Sequence, residues 1–321
     1  MSSKYTVSAP PHLSRRAVVA GGLAGTAVLV LGSKPAPAAT RASSLPLITK
    51  SIPSSGEKLP VVGIGTSVFG AKTPEEIADR RDVLKYLPEL GGKVVDTAWS
   101  YGESEVLIGR LVKELGNRDK LFIATKTATP TDGQSPAAAL DSTFARLQMP
   151  KIDLLQIHSF RATNELYPVL MDAKKAGKVR YIGVTTSHDP QYPDMIEALR
   201  TRTLDFIQID YSLGDRGTET ILEMAKDKGI AVVANVPLGG SGGSLLTKMK
   251  GRPLPDWATT ELDATTWPQL FLKYVIAHPA VTVAIPGTTR LAHLEDNQLA
   301  ARGRLPDAAF RRKIEDYWAS V

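Results

Sequence analysis

Four residues of this 321-residue chain have the types and spacing to share one proton-transfer site. Asp96 and Tyr101 lie in Val94-Val95-Asp96-Thr97-Ala98-Trp99-Ser100-Tyr101-Gly102. Lys126 ends the run Leu121-Phe122-Ile123-Ala124-Thr125, and His158 ends Ile152-Asp153-Leu154-Leu155-Gln156-Ile157. A phenol with its ordinary pKa of about 10 is a poor acid at neutral pH. A neighbouring ammonium favours the phenolate and lowers that value. Lys126 is the candidate ammonium, and Asp96 can pair with it and keep it charged. His158 can donate a hydrogen bond to an oxygen that gains charge. The set suits protonating a carbonyl oxygen as a hydride reaches its carbon. It holds no obvious nucleophile, which argues against acyl transfer. Taken singly, Asp96 reads as a cap or ion-pair partner, Tyr101 and Lys126 as surface residues, and His158 as a core histidine. Their combination points to chemistry.

Such residues meet when they stand at the C-terminal ends of successive parallel strands. The chain has the required rhythm. Val- and Ile-rich runs recur at 61–65, 93–97, 121–126, 152–158, 179–184, 204–209, 230–234 and 281–285. Amphipathic stretches fall between most of them: Pro74 to Leu87, Ser104 to Leu115, Pro136 to Leu147, Glu165 to Ala176, Pro193 to Arg200 and Thr218 to Lys228. Thr73-Pro74 and Ser135-Pro136 set a capping hydroxyl before a proline at the first helical position, and Gly177 and Gly229 stand where helices end. Eight strands alternating with helices predict an α/β fold, the (β/α)8 barrel. A doubly wound sheet is the rival. It would need a Gly-x-Gly-x-x-Gly turn opening its first helix, but after Gly63 and Gly65 the third glycine, Gly70, is misplaced. Leu45–Ile48 and Leu59–Val62 flank the turn-rich Pro53–Glu57 and predict a small N-terminal hairpin. The Gly- and Pro-rich stretch from Val236 to Trp267 predicts a long loop after strand 7, on the face where barrel active sites sit. Tyr317-Trp318 predict a last helix packed on the barrel.

The N-terminus is a different material. Arg15-Arg16, an apolar Gly/Ala-rich run to Gly32 and the Ala36-Pro37-Ala38 site predict a twin-arginine (Tat) signal peptide over 1–38. A linker over 39–44 and one domain over 45–321 follow. Export to the bacterial periplasm through the twin-arginine machinery is the expectation, with an uncleaved membrane anchor as the alternative. The mature form is expected to stay off the membrane. Lys4, Arg15, Arg16 and Lys34 supply four of the formal +6 charges, and the first 38 residues hold no Asp or Glu. The positive balance is therefore largely a leader effect, and no basic stripe with interleaved aromatics marks a nucleic-acid binder. The absence of cysteine excludes disulfides, thiolate metal sites and a cysteine nucleophile. No histidine pair has metal-ligand spacing, so no metal is expected.

The Asp-Thr-Ala-x-x-Tyr-Gly segment, the strand ending Thr-Lys and the strand ending Gln-Ile-His resemble the tetrad region of the aldo-keto reductases. The resemblance runs from about residue 45 to 310. It takes in Arg180–Thr185, Phe206–Tyr211, Pro237-Leu238, Ile285–Arg290 and Glu295–Asn297. It implies a barrel and a nicotinamide dinucleotide, NADP(H) ahead of NAD(H), working on a small carbonyl or alcohol substrate. Tyr101 would be the general acid, Lys126 and Asp96 its tuners, and His158 the carbonyl orienter. Thr185, Thr186 and Gln208 would hold the nicotinamide carboxamide. Gly65, Thr66, Asp96, Pro237, Leu238 and Pro286 would line the cofactor's path, and Gly287, Thr288, Thr289, Arg290 and Asn297 its adenosine end. Trp99, with Tyr101 and His158, is a candidate for the substrate wall, although packing explains an aromatic there equally well.

The chain departs from the family pattern where many members have Ser-Asn (Thr185-Thr186), a stacking aromatic (Asn235) and a phosphate-binding Lys (Gly287). Tyr211 is an alternative source of stacking. Two functions of different class follow: an exported reductase of aldehydes and ketones, reversible, or a non-catalytic redox-sensing protein that keeps the cofactor. Export fits a cofactor held tightly, because the twin-arginine route carries folded proteins.

Overall fold

Eight apolar runs become eight parallel strands because each is buried on both faces, by the barrel interior and by a helix. The computed structural model describes residues 45–131, 133–240 and 243–321; the predicted signal peptide and linker lie outside them. An antiparallel hairpin comes first, β1 (Thr49–Ser51) and β2 (Lys58–Pro60), with Thr49 opposite Pro60. The barrel strands are β3 (Ile64–Gly65), β4 (Val94–Asp96), β5 (Phe122–Lys126), β6 (Ile152–His158), β7 (Val179–Thr185), β8 (Phe206–Asp210), β9 (Ala231–Asn235) and β10 (Val281–Ala284). They pair in sequence order, each parallel to the next. Between and after them lie α1 (Pro74–Glu89), α2 (Ser104–Leu115), α3 (Pro136–Leu147), α4 (Thr163–Lys175), α5 (Tyr192–Thr201), α6 (Glu219–Asp227), α7 (Leu245–Lys248), α8 (Asp256–Leu262), α9 (Trp267–Ile276), α10 (Leu291–Ala300) and α11 (Ala308–Ser320). The (β/α)8 prediction and all eight strand positions agree with this architecture.

The ring closes where β3 meets the end of β10. Gly63 N donates to Ala284 O at 2.9 Å, Ala284 N to Val61 O at 2.9 Å, and Gly65 N to Pro286 O at 3.0 Å. Closure explains the two glycines without a turn. A Cβ on Gly63 would stand 2.7 Å from Val94 O, and one on Gly65 would stand 2.8 Å from Ile285 O. They permit close approach of neighbouring strands.

Two cores result. Val94, Phe122, Leu154, Phe206, Val233 and Val283 fill the barrel, and Ile52 and Leu59 of the hairpin plug its bottom. The larger core lies between strands and helices. Lys50 fastens the plug by donating to Ile276 O, His278 O and Val281 O at 2.8, 2.8 and 2.6 Å. The hairpin itself corrects the sequence reading. Its first strand is Thr49–Ser51 rather than Leu45–Ile48, because the tight Ile52–Glu57 turn pairs the residues adjoining it.

Helix entries follow the sequence signals. Thr73 and Glu76 form a capping box at α1, and the Ser135 hydroxyl accepts from Ala138 N at α3. The stretch after β9 is not the unstructured loop its Gly and Pro content predicts. Ser244 caps α7 and Pro255 precedes α8, whose Trp257 belongs to a C-terminal aromatic cluster. In that cluster Tyr317 stacks on Trp267 at 6.1 Å and meets Trp257 edge-on at 5.8 Å, while Trp318 meets Phe271 at 5.8 Å. Tyr317 and Trp318 thus dock the last helix, as expected. Among the described residues no helix is long and apolar enough to cross a membrane, and no cluster of His, Asp or Glu has the geometry of a metal site.

Candidate active site

The C-terminal ends of β4, β5 and β6 bring the four predicted residues together. Lys126 is buried, and its three N–H donors are all used: Asp96 Oδ1 at 3.0 Å, Asp96 Oδ2 at 2.8 Å and Thr97 O at 2.8 Å. Three acceptors around one nitrogen fit an ammonium. Burial opposes that charge, but the Asp96 carboxylate and the Tyr101 phenol beside it hold the amine above its ordinary range. The Lys126 nitrogen sits 5.0 Å from the Tyr101 ring centroid. The His158 ring meets the Tyr101 ring edge-on, with centroids 6.3 Å apart.

The phenol departs from expectation. Lys126 does pull it down, but burial and the Asp96 carboxylate push it up by more, so its net direction is above the ordinary value rather than below. The pull of Lys126 is the largest single influence, and burial together with the charges of Asp96 and Asp210 outweighs it. His158 is pushed down to about 4, first by burial and then by the charges of Lys126, Arg161 and His188. At neutral pH the site therefore offers a protonated phenol and a neutral imidazole.

Local structure holds these groups. The Glu105 carboxylate is fully buried at the start of α2, just after Tyr101. It accepts from Thr125 Oγ1 at 2.7 Å and from Arg146 Nε at 3.0 Å, and Arg146 also donates to Gly102 O. The Tyr101 loop, the strand carrying Lys126 and helix α3 are thereby tied to one carboxylate. Beyond His158 the chain turns through three left-handed residues, Ser159 (φ 52°), Phe160 (φ 54°) and Ala162 (φ 50°). Such backbone strain clusters where a site is held rigid.

A cavity of about 370 Å³ opens beside Tyr101 and Asp96. Of the predicted residues, its wall holds Gly65 and Thr66, Asp96 and Tyr101, Pro237 and Leu238, and Pro286 and Gly287. Thr185, Thr186 and Gln208 are buried behind it. The groups that face the space there are Ser187 and Asn235, joined in a polar chain. Gln156 donates to Gln208, Gln208 Nε2 to Asn235 Oδ1 at 2.6 Å, Asn235 Nδ2 to Ser187 Oγ at 3.2 Å, and Ser187 Oγ to Asp210 Oδ1 at 2.7 Å. Both amide atoms of Gln208 are thus engaged within the protein. Thr186 bonds Gln191 at 2.6 Å.

At the far end, Thr288 and Asn297 are buried and bond each other at 3.2 Å, and Thr289 O accepts from Arg80 at 2.9 Å. They shape the turn into α10 and leave Arg290 exposed at its N-cap. A Cβ on Gly287 would meet nothing within 4 Å. Trp99 is 38% exposed and is not part of the cavity wall. Tyr211 is a correction. It is fully buried, stacked on Tyr274 at 6.3 Å and donating to Glu219 at 2.9 Å, so it cannot stack on a ligand in the cavity. Successive strand side chains alternate in direction, and Asp210, one residue earlier, accepts from Ser187 instead.

The sequence reading missed Ser67, Ser187, Val236, Gly239 and Ile285 on the wall. The one signal that marks this stretch is the Val236-Pro237 step. Val236 holds φ 42°, a costly conformation for a β-branched residue. Gly239 (φ 102°) then turns the chain so tightly that a Cβ would stand 2.3 Å from Gly243 O. Gly239→Ala is expected to distort this wall and weaken binding of a cavity ligand by about tenfold, since such backbone strain costs roughly 1–3 kcal/mol. Ligand titration against the parent protein measures it, and an unchanged affinity would show that the turn does not shape the cleft.

The sequence profile described as "Aldo/keto reductase family" matches residues 61–315. The chain belongs to that family. An uncharacterized oxidoreductase of Schizosaccharomyces pombe is 30% identical over 246 residues, 73% of this chain and 77% of the relative. Aldo-keto reductase yakc [NADP(+)] of the same yeast is 26% identical over 305 residues, 79% of this chain and 87% of the relative. Among solved structures, the holo form of aldo-keto reductase AKR11C1 from Bacillus halodurans superposes with a TM-score of 0.67 at 24% identity. That match covers 84% of this chain and 96% of the other, and it bears on the fold alone. Within the aldo/keto reductase family this chain is accordingly an oxidoreductase, and the converged residues are its candidate machinery.

Proposed function

We propose that the chain reduces aldehyde or ketone carbonyls to alcohols, reversibly, with a nicotinamide dinucleotide as the hydride carrier. The observation that carries this reading is the fully bonded Lys126–Asp96 pair directly behind Tyr101, whose phenol lies on the cavity wall. The cavity fits the carrier. It runs from the phenol past two polar side chains, Ser187 and Asn235, to an open glycine at Gly287. When bound, the cofactor supplies the hydride. Tyr101 holds the proton and passes it to the carbonyl oxygen as negative charge builds there. Lys126 lies close enough to stabilise the phenolate left behind, and Asp96 keeps Lys126 in place. His158, neutral, donates to the same oxygen and fixes its direction.

The phosphorylated cofactor is favoured by the name of the yeast relative, which carries NADP(+), and by Arg290, whose exposed guanidinium at the start of α10 can fork onto a phosphate. The open space at Gly287 makes this testable. Gly287→Lys is expected to tighten NADPH over NADH by about fivefold at low salt, with the gain fading as salt rises, as for an exposed ion pair. Fluorescence titration with both cofactors measures it.

The activity itself is tested by following reduced-cofactor consumption with a panel of aldehydes and ketones. A chain that binds NADPH yet turns over none of them would sink the reductase reading in favour of a cofactor-holding sensor.

A further inference from the structure

The His158 imidazole has one hydrogen-bond contact among the described residues, Ser100 Oγ to Nδ1 at 3.4 Å. That is long, as is common for catalytic hydrogen bonds before a ligand tightens a site. Nε2 has no partner among the described residues. The Ser100 hydroxyl is solvent-exposed and, among the described residues, has no other acceptor for its proton. A neutral imidazole carries one proton, and the bond made by one nitrogen decides which nitrogen keeps it.

We propose that Ser100 sets the tautomer of His158: its hydroxyl donates to Nδ1, which places the ring proton on Nε2 and makes the free nitrogen a hydrogen-bond donor. The opposite tautomer would offer a lone pair to the ligand and repel a carbonyl oxygen. Three other features leave the tautomer as the main remaining variable. The left-handed turn through Ser159, Phe160 and Ala162 fixes the backbone beyond the ring. The edge-on Tyr101 ring limits its rotation. Burial first, and then the nearby charges of Lys126 and Arg161, disfavour the doubly protonated form. Ser100 is thus a positioning residue that acts through His158. Its importance for turnover rests on the reductase reading, whereas its effect on the ring does not.

The test is nitrogen NMR of the imidazoles in the full chain, with His158→Gln identifying the His158 signals among the five histidines. The parent ring should show protonated Nε2 and unprotonated Nδ1. Ser100→Ala should bring in a resolvable Nδ1-protonated population, and Ser100→Thr should restore the parent pattern. Carbonyl turnover should fall in Ser100→Ala by about the fraction of rings lost to the wrong tautomer, with KM little changed, and recover in Ser100→Thr. A parent ring protonated on Nδ1, or a Ser100→Ala ring with the parent tautomer, overturns the proposal and leaves the reductase reading standing. The expected NMR pattern in a protein that reduces no carbonyl would overturn the reductase reading and leave Ser100 with its tautomer role.

Discussion

Tyr101→Phe is expected to lower carbonyl turnover by about 10²–10⁴-fold, the range for losing a positioned general acid, while cofactor affinity holds within about twofold. The substitution removes one oxygen and keeps the ring. The edge-on contact with His158 and the Lys126 nitrogen 5.0 Å from the ring centroid both survive it, so a fold defect is not the anticipated cause. The pH profile adds a signature. The acid must carry its proton, and the phenol sits above its ordinary value, whereas His158 titrates only at about 4. Reduction should therefore be flat between these limits and fall as pH rises through the phenol's pKa. Oxidation of the alcohol, which needs the deprotonated phenol, should rise over the same alkaline interval. Stopped-flow single turnovers across pH, in parent and variant, separate this step from product release. A variant within tenfold of the parent would mean that another group delivers the proton.

Lys126→Met should cost about 3–5 kcal/mol of stability, because it leaves the Asp96 carboxylate buried without its partner. Lys126 and Asp96 side chains are each only 2% exposed, so water cannot take over. The companion variant decides the cause. In Lys126→Met/Asp96→Asn no unpaired charge remains, and most of the stability should return. Activity should not return, since nothing is left beside Tyr101 to favour its charged form. Chemical denaturation measures the first quantity and carbonyl turnover the second. If Lys126→Met were as stable as the parent, the pair would not be the buried ion pair that its three bonds describe. If the double variant recovered turnover, the pair would be structural only.

The barrel was legible because strands buried on both faces are written as uninterrupted apolar runs, and a charged or polar residue at the end of such a run has one place to go. Asp96, Lys126 and His158 were found in this way, and Tyr101 by its fixed distance from Asp96. The residues that face the cavity beside them were not. Ser187 lies two positions past the end of β7, where the backbone leaves the sheet and alternation no longer says which way a side chain points. Thr185 ends the strand and Thr186 follows it, and both are buried behind the wall. Tyr211 shows the same limit from the other side, since one step past Asp210 reverses the direction. Helices α7 and α8 were hidden by the glycines and prolines around them. The direction of the phenol's shift was missed because it depends on how far burial and Asp96 outweigh Lys126, which spacing along the chain does not encode.

The seam between β3 and the end of β10 has a consequence for how the protein is made. Val61, Gly63 and Gly65 bond to Ala284 and Pro286, and Lys50 bonds to carbonyls at Ile276, His278 and Val281. The earliest strands to leave the ribosome wait for almost the last ones. A nascent chain can stack its strands and helices in order, but its first edge stays open until synthesis is nearly done. Contacts so far apart in sequence slow folding, and an open strand edge invites pairing with other chains. The first edge can therefore pair only once the chain has been made through Pro286.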